Sequence, residues 1–198
     1  MTVSLAMICG DAHRDVLARC IRSVLNYPTR LVDEIGVCWN GRRSDTLDVH
    51  KSLVALRTPN TSRPSIVVME LKWVDDFAAA RNASYGISNS DWILWLDADD
   101  VIDPTHQPTK PLADTLAALS PDIGCVWLPD IYAADLPMKI PRLVRRSAGP
   151  WRWRGAVHEE LISDHPVAWT ILDAPVIRHA PVQSETTRQT RNVEIMDR

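Results

Sequence analysis

The sequence has no apolar run long enough to cross a bilayer: Val3 to Ile8 and Trp92 to Leu96, its longest, fall well short of the ~20 residues a membrane helix needs. Paired cysteine spacing is also missing. Cys9, Cys20, Cys38 and Cys125 stand singly in mostly apolar segments, which argues against a zinc site or a disulfide framework and predicts reduced core thiols. Neither sign of charge dominates. With 22 basic against 25 acidic residues, the net charge of -3 advertises no chain-wide nucleic-acid footprint. The opening Met-Thr-Val-Ser-Leu lacks a basic region and a cleavage site, so no secretory signal is read and a cytoplasmic location is expected. The Asn60-Thr61-Ser62 and Asn82-Ala83-Ser84 sequons are then coincidental. Internal repeats and low-complexity tracts are absent. What is present is a chain of 198 residues, 45% hydrophobic and 24% charged, long enough to bury a core of its own.

Through the first hundred residues, short apolar runs alternate with helical patterns. Val3 to Ile8, Glu34 to Trp39, Ser65 to Leu71 and Trp92 to Leu96 read as strands, the later ones with the near-continuous hydrophobicity of strands covered on both faces. Val16, Leu17, Cys20, Ile21 and Val24 form one apolar stripe on a helix from about Asp15 to Leu25, ended by Pro28. Ser44 to Leu56 and Asp76 to Ile87 are weaker helices. This alternation predicts an α/β fold with a mostly parallel sheet. After Asp100 proline becomes commoner and strands shorter, with a helix expected over Leu112 to Leu119 and a core strand over Gly124 to Leu128. From Met138 to His158 no acidic residue occurs, while Lys139, Arg142, Arg145, Arg146, Arg152 and Arg154 gather beside Trp151 and Trp153, which reads as a basic, aromatic-bearing surface. The polar end from Ser184 to Arg198 reads as mildly helical.

Chemistry concentrates where the apolar strand Trp92 to Leu96 runs into Asp97-Ala98-Asp99-Asp100. Ligands of open α/β sheets bind outside the carboxyl ends of the strands. On an extended chain Asp97 and Asp99 point the same way, and like charges so close call for a cation. Hard oxygen donors suit Mg²⁺ or Mn²⁺ held together with substrate phosphates.

The sequence here resembles the family-2 nucleotide-sugar glycosyltransferases of the GT-A fold. The likeness rests on Val3-Ser-Leu-Ala-Met-Ile8 with Cys20-Ile-Arg-Ser-Val24, on Val32-Asp-Glu-Ile35, and on Asp76-Phe-Ala-Ala-Ala-Arg-Asn82 followed by the Asp97-Ala-Asp99 motif. It continues in Arg142-Leu-Val-Arg145, Trp151-Arg-Trp-Arg-Gly-Ala-Val-His-Glu159 and Ile177-Arg-His-Ala-Pro181, spanning about residues 3 to 181. It implies a Rossmann-like, mostly parallel central sheet flanked by helices, with a smaller antiparallel acceptor-side part. One domain over 1–182 is expected, divided into a nucleotide-sugar half, 1–100, and an acceptor-side half, 101–182, with 183–198 as a polar tail. By resemblance Asp97 holds the nucleotide ribose or helps place the metal, Asp99 bridges metal and diphosphate, His179 is a third metal ligand, and Arg81 reaches the nucleotide. Asn82 ties down the loop near its helix. Glu159 is the candidate base, with Glu160 and Asp130 as alternatives, and His158 orients it or contacts the acceptor. Arg152 and Arg154 are candidates to neutralise the leaving diphosphate, with Trp151 and Trp153 either stacking on sugar or forming a buried strand face.

Where many family members carry an acidic base-reader after the second strand, this sequence has Trp39 and Asn40, which can stack on a base and bond its edge. The implied activity is metal-dependent, inverting transfer from a nucleoside-diphosphate sugar, UDP favoured, to a protein side chain, a glycan or a modified DNA base. A sugar-1-phosphate nucleotidyltransferase is the competing enzyme, though Cys9-Gly-Asp-Ala-His13 lacks its Gly-rich basic loop. A catalytically inactive nucleotide-sugar-binding module is the third reading.

Overall fold

The computed structural model describes residues 1–57, 64–106, 110–132, 137–181 and 185–196; the Asn60-Thr61-Ser62 sequon lies outside them. The apolar stripe expected near Asp15 forms α1 (Arg14–Leu25), which buries Leu17, Cys20, Ile21 and Val24. It follows β1 (Val3–Cys9) and leads to β2 (Glu34–Trp39), α2 (Thr46–Val54), β3 (Ser65–Glu70), α3 (Phe77–Gly86) and β4 (Trp92–Trp95). The second half adds β5 (Asp100–Ile102), α4 (Leu112–Ala117), β6 (Ile123–Ile131), β7 (Pro137–Arg145), β8 (Trp151–Arg154), β9 (Glu160–Ser163), β10 (Ala168–Ile171), β11 (Ile177–His179) and α5 (Glu185–Met196).

Nine strands join one sheet in the order β3-β2-β1-β4-β7-β6-β11-β5, with β10 on β6, while β8 and β9 form a separate antiparallel pair. From β3 to β4 every pairing is parallel. β7 then runs antiparallel to both β4 and β6. Alternation along β1 divides the core. Leu5 and Met7 belong to the apolar cluster that contains Leu17 and Ile21 of α1 and Val49 and Leu53 of α2. Ala6 turns to the other face, in the cluster of Ala78 and Tyr85 of α3, Trp95 and Trp153. All four cysteines are free and buried, as expected of core thiols.

The basic run from Met138 to His158 is surface only in part: Lys139, Arg146, Arg152 and Arg154 are exposed, but the two arginines between them on β7 are not. Arg142 is wholly buried and Arg145 nearly so, because β7 is an interior strand. Arg142 donates from Nε to Asp130 Oδ2 at 2.8 Å, also bonds that oxygen through Nη2, and sits 3.1 Å from Asp100 Oδ2. Both carboxylates are fully buried. Arg145 donates to the carbonyls of Ile123 and Ser120. Trp153 is likewise a buried strand residue, and the exposed Arg152 pairs with Asp164 at 2.6 Å.

Removing one partner of a buried ion pair leaves uncompensated charge, a loss of about 3–5 kcal/mol. Arg142→Met is therefore expected to destabilise the fold by about that amount in urea titrations. Arg154→Ala, at an exposed position of β8, should stay within about 0.5 kcal/mol of the parent.

Candidate active site

β1 lies between β2 and β4, so the strand order reverses beside it. A cavity of about 790 Å³ opens at this switch point, lined by Cys9 at the end of β1, Gly10 and Asp11 after it, Asn40 after β2, and Asp97 to Asp99 after β4. The acidic segment is a turn rather than extended chain. Asp100 N–H donates to Asp97 O at 3.0 Å, and Asp97 N–H donates to Asp100 Oδ2 at 2.9 Å. Asp97 and Asp99 nonetheless both face the cavity.

His179 reaches this turn from the far end of the sequence because β11 pairs antiparallel with β5, setting His179 opposite Asp100. Its Nδ1 lies 3.1 Å from Asp100 Oδ1, and with the ring proton in that bond Nε2 is the nitrogen that would meet a cation. That nitrogen is 3.8 Å from Asp99 Oδ2. The other Asp100 oxygen is committed to Arg142 and to Asp97 N–H. Donor atoms of Asp99, Asp100 and His179 fall within 4.8 Å of one another, and a histidine oriented by a buried carboxylate is a usual metal-site support. Burial raises the Asp99 carboxyl above its ordinary range, with Asp97 and Asp100 adding to the rise and His179 opposing it. The hydrogen bond to Asp100 lifts His179, against burial, with the Asp99 charge assisting. This concentration of negative charge fits a divalent cation between Asp99 and His179.

Arg81 joins the two halves of the site. Its Nη2 donates to Asp97 Oδ1 at 2.7 Å and its Nε to Glu159 Oε1 at 2.6 Å, while the guanidinium lies 4.8 Å from the ring centroids of both Trp95 and Trp153. Burial opposes the Asp97 charge, but Arg81 and then Arg142 overcome it and hold the carboxyl below its usual value. The carrier of Arg81, α3, starts where Asp76 accepts from Ala79 N–H at 2.8 Å, an N-cap. Its first residue binds the β8–β9 turn, Phe77 N–H to Ala156 O at 2.9 Å. Asn82 then pairs with the Trp153 backbone as a strand would, donating at 3.0 Å and accepting at 2.8 Å. These bonds occupy the Asn82 amide, so the Asn82-Ala83-Ser84 sequon is a structural feature. The turn that delivers Glu159 contains Gly155 at φ 98° and His158 at φ 53°, a conformation uncommon for a non-glycine residue.

Of the residues singled out in the sequence, the cavity gathers Asp97, Asp99, His179, Arg81, Asn40, His158 and Glu159. Trp39 and Arg154 are outside its lining. Trp39 is fully buried in the core, its Nε1 donating to Arg42 O at 3.0 Å, so it has no face to offer a base. Glu160 is exposed on β9, and Asp130 is sealed against Arg142; neither touches the cavity. Asp11, Gln189, Arg191 and Asn192 line it without having been recognised, the first as an acid directly after β1, the others on a helix read only as a polar tail. Gly41 leaves room for Asp11, since a Cβ there would come within 2.3 Å of its Oδ1. Cys9 also lines the cavity, but burial, with Asp11 and Asp99 adding, pushes its thiol up to about 12, which argues against a nucleophilic thiolate.

Asn82→Ala should cost about 1–3 kcal/mol in denaturant titration by orphaning the Trp153 backbone groups. It should also raise hydrogen exchange across β8 and the turn to β9, with β1 to β3 unchanged.

Residues 4–165 match Glycosyl transferase family 2. A TPR repeat-containing protein of Synechococcus elongatus is 36% identical over 205 residues, covering 98% of this chain and 46% of that protein. The SPbeta prophage-derived glycosyltransferase SunS of Bacillus subtilis is 29% identical over 143 residues, 71% of this chain and 31% of SunS. The chain thus spans less than half the length of these curated relatives. The crystal structure of S. aureus TarS 1-349 superimposes with a TM-score of 0.50 at 14% identity, over 70% of this chain and 38% of that one, and so does its complex with UDP. At that identity the likeness speaks for the fold, an α/β GT-A architecture. Among the described residues no helix is long and apolar enough to cross a membrane. With the match extending from β1 through β9 and the acidic turn at the switch point of the sheet, the chain belongs to glycosyl transferase family 2.

Proposed function

We propose that this domain transfers one sugar, with inversion, from a nucleoside-diphosphate sugar to an acceptor nucleophile, using Mn²⁺ or Mg²⁺ held by Asp99 and His179. The observation that carries the reading is the convergence of Asp99, the Asp100-oriented His179 and Glu159 on one cavity at the sheet's switch point. A uridine nucleotide is the favoured donor, supported by the UDP complex of TarS. The family match favours transfer over nucleotidyl chemistry.

When bound, the cation would neutralise charge gathering on the departing diphosphate. Glu159 takes the proton from the acceptor while Arg81 fixes the carboxylate through Oε1. Asp97, held by the same guanidinium, faces the cavity beside Asp99 and takes the nucleotide ribose or the metal's outer ligands. Asn40, at the end of β2, offers an amide to a base edge. The burial of Arg142 and Arg145 and the pairing of Lys139 with Asp173 and of Arg152 with Asp164 reduce the basic surface that a DNA acceptor would meet.

Calorimetry with UDP and GDP, in Mn²⁺ and in excess chelator, tests the donor site. UDP should bind more tightly than GDP, and chelator or Asp99→Asn should each weaken UDP by at least about tenfold. Undiminished binding in chelator would remove the metal from the account.

Glu159→Gln keeps shape and an oxygen for Arg81 but cannot accept the proton. Its UDP affinity should stay within about threefold of the parent while sugar transfer falls about 100-fold or more. Transfer at the parental rate would take the base role away from Glu159.

A further inference from the structure

We propose that Arg191, carried to the cavity by α5, binds the diphosphate of the donor nucleotide, so that the polar C-terminal helix is a wall of the donor site rather than a tail. The proposal rests on the donor reading above and adds a binding residue to it.

A nucleoside diphosphate brings several negative charges into a cavity already lined by Asp11, Asp97, Asp99 and Glu159. Among the described residues, Arg81 and Arg191 are the only arginines or lysines in that lining. The Arg81 guanidinium is engaged on both sides, by Glu159 at Nε and Asp97 at Nη2, with its side chain only 9% exposed. Its charge is already set against the carboxylates of Asp97 and Glu159. Arg191 lies against an aromatic ring at the cavity wall. Its guanidinium lies 4.7 Å from the ring centroid of Phe77, a residue of the first turn of α3 that also lines the cavity. Its Nε and Nη2 donate to the neutral Asn192 Oδ1 at 3.3 and 3.1 Å. Stacking on an aromatic face restrains the guanidinium plane and suits its edge to oxyanion recognition, where a planar fork of donors is stronger than a point charge.

Composition of the helix points the same way. An ordinary surface helix docks by an apolar stripe. In α5 only Ile195 of the apolar residues is buried, while Val193 is 50% and Met196 58% exposed. The residues that α5 does turn toward the cavity are Gln189, Arg191 and Asn192, an array of amide and guanidinium N–H groups. The face of α5 turned to the cavity is therefore polar, and its N–H groups suit an anion. A nucleotide held by Arg191 should protect the helix that carries it.

The test uses the 198-residue chain in MnCl₂, with UDP titrated by calorimetry and uridine followed by saturation-transfer NMR. Arg191→Ala is expected to weaken UDP about tenfold and to leave uridine, which carries no phosphate, within about twofold. Arg191→Lys should recover part of the loss. Hydrogen exchange should show residues 185–196 of the parent protected by UDP and not by uridine. UDP affinity in Arg191→Ala within about twofold of the parent overturns the proposal, and so does an equal loss for UDP and uridine, which would mean that the helix shapes the cavity without contacting phosphate. A parent chain that binds no nucleoside diphosphate at all removes the donor reading and this proposal together, whereas parent binding with an indifferent Arg191 removes this proposal alone.

Discussion

Trp95 carries a guanidinium on either side of the site's charge balance: Arg81 at 4.8 Å and Arg142 at 3.9 Å from its ring centroid. Arg81 bonds Asp97 and Glu159, and Arg142 bonds Asp100 and Asp130. Four carboxylates could not gather at the ends of buried strands without these two cations, because unpaired charge in so dry a place is expensive. Each arginine also ties distant segments together. Arg142 links the acidic turn to β6, and Arg81 links it to the β8–β9 turn.

This pairing leaves Asp99 as the distinct member of the acidic turn. Among the described residues no arginine or lysine pairs with its carboxylate, and its one charged partner is His179 at 3.8 Å. Asp97, Asp100, Asp130 and Glu159 are thus paired with arginine, while Asp99 faces the cavity beside an imidazole held by Asp100. Asp100 performs a double structural service: it receives Arg142, and it fixes the His179 ring. A cation at Asp99 would then meet an organised pair of donors and the oxygens of a nucleotide.

How much of this was readable in the sequence differs by residue. The strand running into Asp97 to Asp100 was legible because, in an α/β chain, an apolar run that ends in clustered carboxylates has the pattern of a buried strand opening onto a ligand site. His179 and Glu159 were reachable only through family resemblance, since nothing local ties either to a turn some 60 to 80 residues earlier. Arg142 was misread as surface charge because its partners, Asp100 and Asp130, come from other strands; the absence of nearby acids looked like exposure when it reflected long-range pairing. Trp39 was misplaced for a related reason. Its position after a reader-bearing strand suggested a base contact, whereas β2 is an interior strand and its final side chain falls in the core. Helix α5 shows the opposite failure, a polar pattern that carries no sign of what it lies against.

The proposed activity needs Asp99 and His179 Nε2 to hold a divalent cation on the diphosphate of a nucleotide donor. Anomalous diffraction at the manganese edge, from crystals of the chain grown with UDP and Mn²⁺, addresses it directly. One strong peak is expected within bonding distance of Asp99 and His179 Nε2 and of oxygens of the UDP diphosphate. A nucleotide bound in the cavity with no manganese at that position, or manganese bound only away from Asp99 and His179, would contradict it.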